Sequence, residues 1–248
     1  MRALRSMIAG AALAAALATP AAAQFAVTPE PPKQEWSFEG VFGTYDLAAA
    51  QRGFQVYSEV CSNCHSMKQL HYRDLAGIGL STDQIKAVAA AVQVPAGLND
   101  SGEPINGPGT PASQFRSPFP NEKAARAALN GALPPDLSLI INAREGHADY
   151  VYAILNGYTH PDDPQWNLYY PGHKIAMPQP IADGAVKYED GTPATLHNYA
   201  QDVASFLTWA SEPTLVERKK IGFRVMVFLI ILSALLYLTK KKIWAAAH

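Results

Sequence analysis

Five consecutive residues, Cys61-Ser62-Asn63-Cys64-His65, contain both cysteines of the 248-residue chain. Cys-x-x-Cys-His is the attachment pattern of a c-type haem. Two thiols three positions apart can each add to a vinyl group of one porphyrin. The histidine after the second thiol is then held beneath the ring, where an imidazole nitrogen can bind the iron. With two cysteines, no four-cysteine zinc site and no second haem of this kind can form. A thioredoxin-like dithiol would call for a parallel βαβ pattern nearby, and none is visible. The expectation is one haem c held covalently through two thioethers, with Cys61 and Cys64 as attachment points and His65 on the iron.

A sixth iron ligand is approached by elimination. Besides Met1, the methionines are Met7, Met67, Met177 and Met226. Met7 falls in an N-terminal leader and Met226 in an apolar span. Met67 stands two residues from His65, too close to cross to the opposite ring face. Met177 remains, in Ile175-Ala176-Met177-Pro178-Gln179-Pro180, where prolines restrict the backbone. Methionine–histidine ligation raises a haem potential and closes the position that a peroxidase or gas sensor needs open. His71, His147, His160, His173 and His197 compete for the site, and a lone methionine is more often core filler.

The elements that must position these groups read as helices joined by long loops. Asp46 can cap a helix over Leu47–Val60, with Leu47, Ala50, Phe54 and Tyr57 on one face, delivering straight into the haem motif. Phe25–Trp36 is Pro-rich and reads as an extended arm. Residues 93–120 carry six prolines and read as an irregular excursion. Helices are expected over Glu122–Asn130, ended by Gly131, and over Ala148–Asn156, closed by Gly157. Residues 161–193 read mostly as loop, and Leu196–Ala210 as a last soluble helix. No strand pattern of convincing length appears. The fold class is mainly α: a cytochrome c-type haem domain with long loops plus one C-terminal transmembrane helix.

The two ends say where such a domain works. Arg2 and Arg5, the apolar stretch Met7–Leu17 and Ala21-Ala22-Ala23 read as a secretory signal peptide over 1–23, with a bacterial look. Ile221–Thr239 offers 19 largely apolar residues, about 28 Å of helix, close to a bilayer's hydrocarbon thickness. Arg218, Lys219 and Lys220 precede the span, while Lys240-Lys241-Lys242 and Trp244 follow it. Both flanks are basic, so the positive-inside rule discriminates poorly. Export of the N-terminus then sets the orientation. Residues 24–216 are expected to form a periplasmic haem domain, and 217–248 an inner-membrane anchor with a short cytoplasmic tail.

Residues 24–216 hold 20 acids against 11 Lys or Arg, a formal net of −9 that the whole-chain value of −1 conceals. An acidic exported domain repels nucleic acid and steers basic partners toward itself. Asp162, Asp163 and Glu103 are candidate docking acids, while ordinary solubility explains such acidity equally well.

Nearly the whole mature sequence resembles the cytochrome c1 family, the membrane-anchored haem subunits of cytochrome bc1 complexes. The resemblance runs through Trp36-Ser37-Phe38-Glu39-Gly40, Arg52-Gly53-Phe54-Gln55-Val56-Tyr57 and the haem motif. It continues through Ala124-Ala125-Arg126, Gly131-Ala132-Leu133-Pro134-Pro135-Asp136-Leu137-Ser138, Asp149-Tyr150-Val151-Tyr152, Ile175-Ala176-Met177-Pro178 and the C-terminal anchor. It implies covalent haem on Cys61 and Cys64, His65 as proximal and Met177 as distal ligand. It further implies Arg126 beside a haem propionate, and a carbonyl of Pro134-Pro135 accepting the His65 Nδ1–H. The implied activity is that of a subunit of quinol–cytochrome c oxidoreductase. Electrons would come from a Rieske iron–sulfur protein and pass to a soluble c-type cytochrome, with cytochrome b as neighbour. The alternative is a free-standing membrane-anchored cytochrome c donating to a terminal oxidase. Some bacterial relatives carry a disulfide in the loops before the methionine; this chain has no cysteine to spare for one.

Overall fold

The computed structural model describes residues 28–245. The signal peptide expected over 1–23 lies outside them. Asp46 starts α1, Leu47–Glu59, its carboxylate accepting from the amides of Ala48 (2.9 Å) and Ala49 (3.1 Å). Those N–H groups have no partner inside the helix. The last soluble helix, α5 (Leu196–Ser211), is capped in the same way by Thr195 and packs directly on α1; α2 to α4 lie between them in the chain. The close approach depends on Gly53. A Cβ there would stand 2.0 Å from the Asp202 carbonyl oxygen and 2.7 Å from the Phe206 Cβ.

Beside that crossing, the Arg52 guanidinium donates twice to Asp202, both at 2.8 Å, and once to Asp190 at 2.9 Å. Such a fork matches carboxylate geometry. Aromatic rings fill the space around it. Phe206 lies 5.6 Å from Phe54, 5.8 Å from Tyr57 and 5.8 Å from Trp209, centroid to centroid. Each large ring removes much apolar surface from water, and ring pairs add to that burial.

Between the ends of this pair lie α2 (Thr82–Ala90), α3 (Glu122–Ala128) and α4 (His147–Asn156), the last packed on α5. The expected arm is pinned onto α4 by one buried acid. Asp149 accepts from Trp36 Nε1 (2.8 Å), Gln34 N (3.1 Å) and Lys33 Nζ (2.9 Å). Three features differ from the sequence reading. A 3-10 helix at Tyr72–Ile78 and α2 were not expected, although Ser81-Thr82-Asp83-Gln84 is a capping box with both reciprocal bonds made. Residues 93–108 are not wholly irregular but form a two-stranded hairpin, β1 (Gln93–Leu98) with β2 (Pro104–Pro108). The Asn99 side chain closes its turn by accepting from Ser101 N and Glu103 N.

The final helix, α6, runs Leu215–Trp244, 30 residues and about 45 Å long. It begins before Ile221 and ends after Thr239 because the basic flanks continue the helix on both sides. Its apolar side chains, among them Phe228, Ile230 and Leu236, stand exposed. Among the described residues it is the one helix long and apolar enough to cross a membrane.

Candidate haem site

The chain leaves α1 through a 3-10 turn, Cys61–Asn63. The amides of Cys64 and His65 both donate to the Cys61 carbonyl, at 3.1 and 2.9 Å. That shared acceptor winds the three chemical residues around one turn. The two intervening side chains fold back on α1: Ser62 Oγ donates to the Ser58 carbonyl, and Asn63 Nδ2 to those of Glu59 and Val60. Neither cysteine is in a disulfide; Cys61 is half-buried and Cys64 exposed. Burial pushes the Cys61 thiol up to about 12, so it rests protonated.

His65 is oriented by a residue far along the chain. Its Nδ1 lies 2.8 Å from the Pro135 carbonyl. A carbonyl can only accept, so Nδ1 carries the proton and Nε2 keeps a free lone pair. Burial lowers the His65 pKa, and the bond to Pro135 opposes that effect without cancelling it. The imidazole is therefore held neutral, the form that binds a metal.

Pro135 in turn is held by Asp136. Desolvation raises the Asp136 carboxyl, but bonds from Ser138, the Lys68 amide and Ser66 outweigh it and leave the group below the usual carboxylate range. The bonds from Ser66 Oγ (2.7 Å) and Lys68 N (2.9 Å), with Leu137 N donating to the Ser66 carbonyl at 2.8 Å, stitch residues 66–68 to 136–138. Asp136 was not singled out from sequence. Its only local signal is the Asx turn formed with Ser138 N at 2.9 Å.

The other expected residues fall as follows. Met177 is half-buried, and its carbonyl accepts from Tyr158 Oη at 2.8 Å. Met67 is wholly buried in the core, as filler would be. Among the competing histidines, His147 meets the Ile141 carbonyl, His197 the Tyr152 hydroxyl and His173 the Asn167 carbonyl, while His71 stands over Asp74. His160 lies against Trp166. Arg126, exposed in the last turn of α3, donates to the Gly131 carbonyl at 2.9 Å and so ties off the turn that leads to Pro134. Asp163 is paired with Lys174 and is not a free docking acid. Sequence reasoning assigned no role to Tyr158 or Gln165, which hold the Met177 segment, because hydroxyls and amides carry no motif.

Two unpaired thiols on one turn, followed by a neutral imidazole whose Nε2 is free, fit a haem attached through thioethers and ligated by histidine. A helical domain ending in one long apolar helix and carrying this turn has the build of a membrane-anchored c-type cytochrome. A family model described as the Cytochrome C1 family matches residues 36–247. The chain is 47% identical over 235 residues to cytochrome c1 of Rhodospirillum rubrum, covering 86% of each chain. It is 46% identical over 248 residues to cytochrome b/c1 of Bradyrhizobium diazoefficiens, using 88% of this chain but spanning 36% of that longer protein. It is 44% identical over 224 residues to a mitochondrial "cytochrome b-c1 complex catalytic subunit" of Candida albicans, covering 86% and 77%. The chain belongs to the cytochrome c1 family.

Proposed function

We propose that this chain is the electron-transferring haem subunit of a bc1-type quinol–cytochrome c oxidoreductase in a bacterial inner membrane. The observation that carries the reading is the Cys61–His65 turn with His65 fixed on the Pro135 carbonyl. The names of relatives, a cytochrome b/c1 and a cytochrome b-c1 complex subunit, support assembly with a cytochrome b. Cys61 and Cys64 would hold haem c through two thioethers, and His65 Nε2 and Met177 Sδ would supply its iron ligands. Arg126 pairs with a propionate through the N–H groups that Gly131 leaves free. Bound there, the haem carries single electrons by alternating between ferrous and ferric iron.

With both His65 and Met177 as ligands, the group would serve electron transfer rather than substrate binding. The donor is a Rieske iron–sulfur protein and the acceptor a soluble c-type cytochrome; quinol chemistry stays with partner subunits. Residues 1–23 direct export, 24–216 form the periplasmic domain, and 217–248 anchor it with a cytoplasmic C-terminus.

A thioether favours ferrous iron over harder donors, so Met177→Leu should lower the potential substantially while the haem stays attached. Each 59 mV corresponds to about tenfold in a one-electron equilibrium. An unchanged potential with an intact methionine–iron charge-transfer band would remove Met177 from the site. Purification from membranes should bring a cytochrome b with the chain; a preparation free of it would point to a free-standing cytochrome instead.

A further inference from the structure

The segment bearing Met177 has no helix or disulfide of its own to stand on. Both cysteines are in the haem motif. It hangs instead on the short run Pro164–Asn167. Trp166 pairs antiparallel with Lys174 in an isolated bridge. Ile175 N donates to the Gln165 carbonyl at 3.0 Å, Gln165 Nε2 to the Ala176 carbonyl at 3.2 Å, and Gln179 N to the Pro164 carbonyl at 3.1 Å. Residues on both sides of Met177 are thus registered against one template. Two-stranded pairing this short is marginal in water unless side chains hold it.

One side chain is placed to do so. Trp166 is half-buried, with the His160 ring tilted against it at 4.5 Å and the His173 ring stacked at 5.0 Å and 17°. His173 sits at φ +60, a left-handed conformation that non-glycine residues keep only when their surroundings impose it. Here the stack and the bond from its ring to the Asn167 carbonyl impose it. Asn167 is fully buried and donates to the Ile154 carbonyl at 2.7 Å, tying the template to α4.

We propose that Trp166 is a positioning residue for the sixth iron ligand: packed against His160 and His173, it keeps the template and the Met177 segment in register. The proposal rests on the reading of Met177 as ligand. Removing the indole should let Met177 leave the iron more often, and an external ligand would report that, because its apparent affinity scales with the population of the open state.

The test uses the oxidised full-length protein with its covalent haem, in detergent, titrated with imidazole while the methionine–iron charge-transfer band is followed. Trp166→Ala should bind imidazole about tenfold more tightly and lose the band at lower temperature, corresponding to about tenfold more open state. Trp166→Phe should recover most of the wild-type behaviour. His173→Gly accepts the left-handed backbone but loses one stacking partner, and should fall between wild type and Trp166→Ala. Wild-type imidazole affinity and band in a folded Trp166→Ala protein would overturn the proposal. If that variant fails to fold, unchanged affinity in His173→Gly overturns it equally. A wild-type protein without any methionine–iron band would instead fail the reading of Met177, and the brace with it.

Discussion

At the scale of single residues, the imidazole of His65 owes its tautomer to a carbonyl 70 positions further along the chain. Outer-shell partners of this kind fix ring orientation and raise ligand basicity. The thiols need less help: their spacing and the shared Cys61 carbonyl place them on one turn. Loss of either thiol should therefore cost attachment rather than folding of the turn. Cys61→Ala or Cys64→Ala is expected to weaken haem retention strongly on denaturing gels stained for covalent haem, and the double substitution to abolish it. Full staining of the double variant would mean that attachment lies elsewhere. Cys61, Cys64 and His65 could be proposed from sequence because the motif is written in contiguous residues. Asp136 and Tyr158 were not, since each acts on atoms distant in sequence.

At the scale of elements, two contacts between distant segments lend themselves to test. The first is the α1–α5 crossing at Gly53, where a methyl group would overlap backbone and Phe206. Gly53→Ala should destabilise the domain by about 1–3 kcal/mol as the helices are forced apart, lowering the melting temperature by roughly 2–4 °C per kcal/mol. A calorimetric trace matching wild type would show that the crossing has slack.

The second contact is Asp149, which joins the arm to α4. Desolvation raises its carboxyl, yet bonds from Lys33, Trp36 and Gln34 outweigh that and hold it below the usual range. A depressed folded value means stability that is present above the unfolded value of about 4 and lost as pH falls through the folded one. Asp149→Asn should cost about 1–3 kcal/mol at neutral pH. It should also lose less further stability than wild type between about pH 6 and pH 3. Equal acid slopes in denaturant titrations would remove Asp149 from the acid response. The helices over 47–60, 122–130, 148–156 and 196–210 were legible from caps and periodicity. α2 was missed although its cues are present in the chain: the Ser81–Gln84 capping box, and Ile85 and Ala89 four residues apart on its buried face.

At the scale of the whole molecule, charge and apolarity are separated along the chain. The region 24–216 carries a formal −9, while the exposed apolar surface is concentrated on α6. A field of that sign attracts basic partners, the acceptor of the proposed function among them if it is basic, and acts mainly on association rate. Screening shortens its reach from about 10 Å at 0.1 M salt to about 3 Å at 1 M. Turnover of the isolated complex with a basic c-type acceptor should therefore fall steeply between about 0.1 and 0.5 M salt once association limits the rate. A flat response under that condition would leave docking to apolar contact.

Sequence alone determined the Cys-x-x-Cys-His spacing, the apolar span and the charge balance, because each depends on which residues stand near one another in the chain. The expected irregularity of 93–120 gave way to a hairpin, since strand pairing depends on partners that a window of residues does not contain. Tertiary structure decided which carbonyl of the expected Pro134-Pro135 pair meets His65, which acid clamps residues 66–68, and what supports the Met177 segment. Those contacts join positions far apart in sequence. Their formation follows from packing α1 and α4 against α5, a long-range burial of apolar surface that no local pattern encodes.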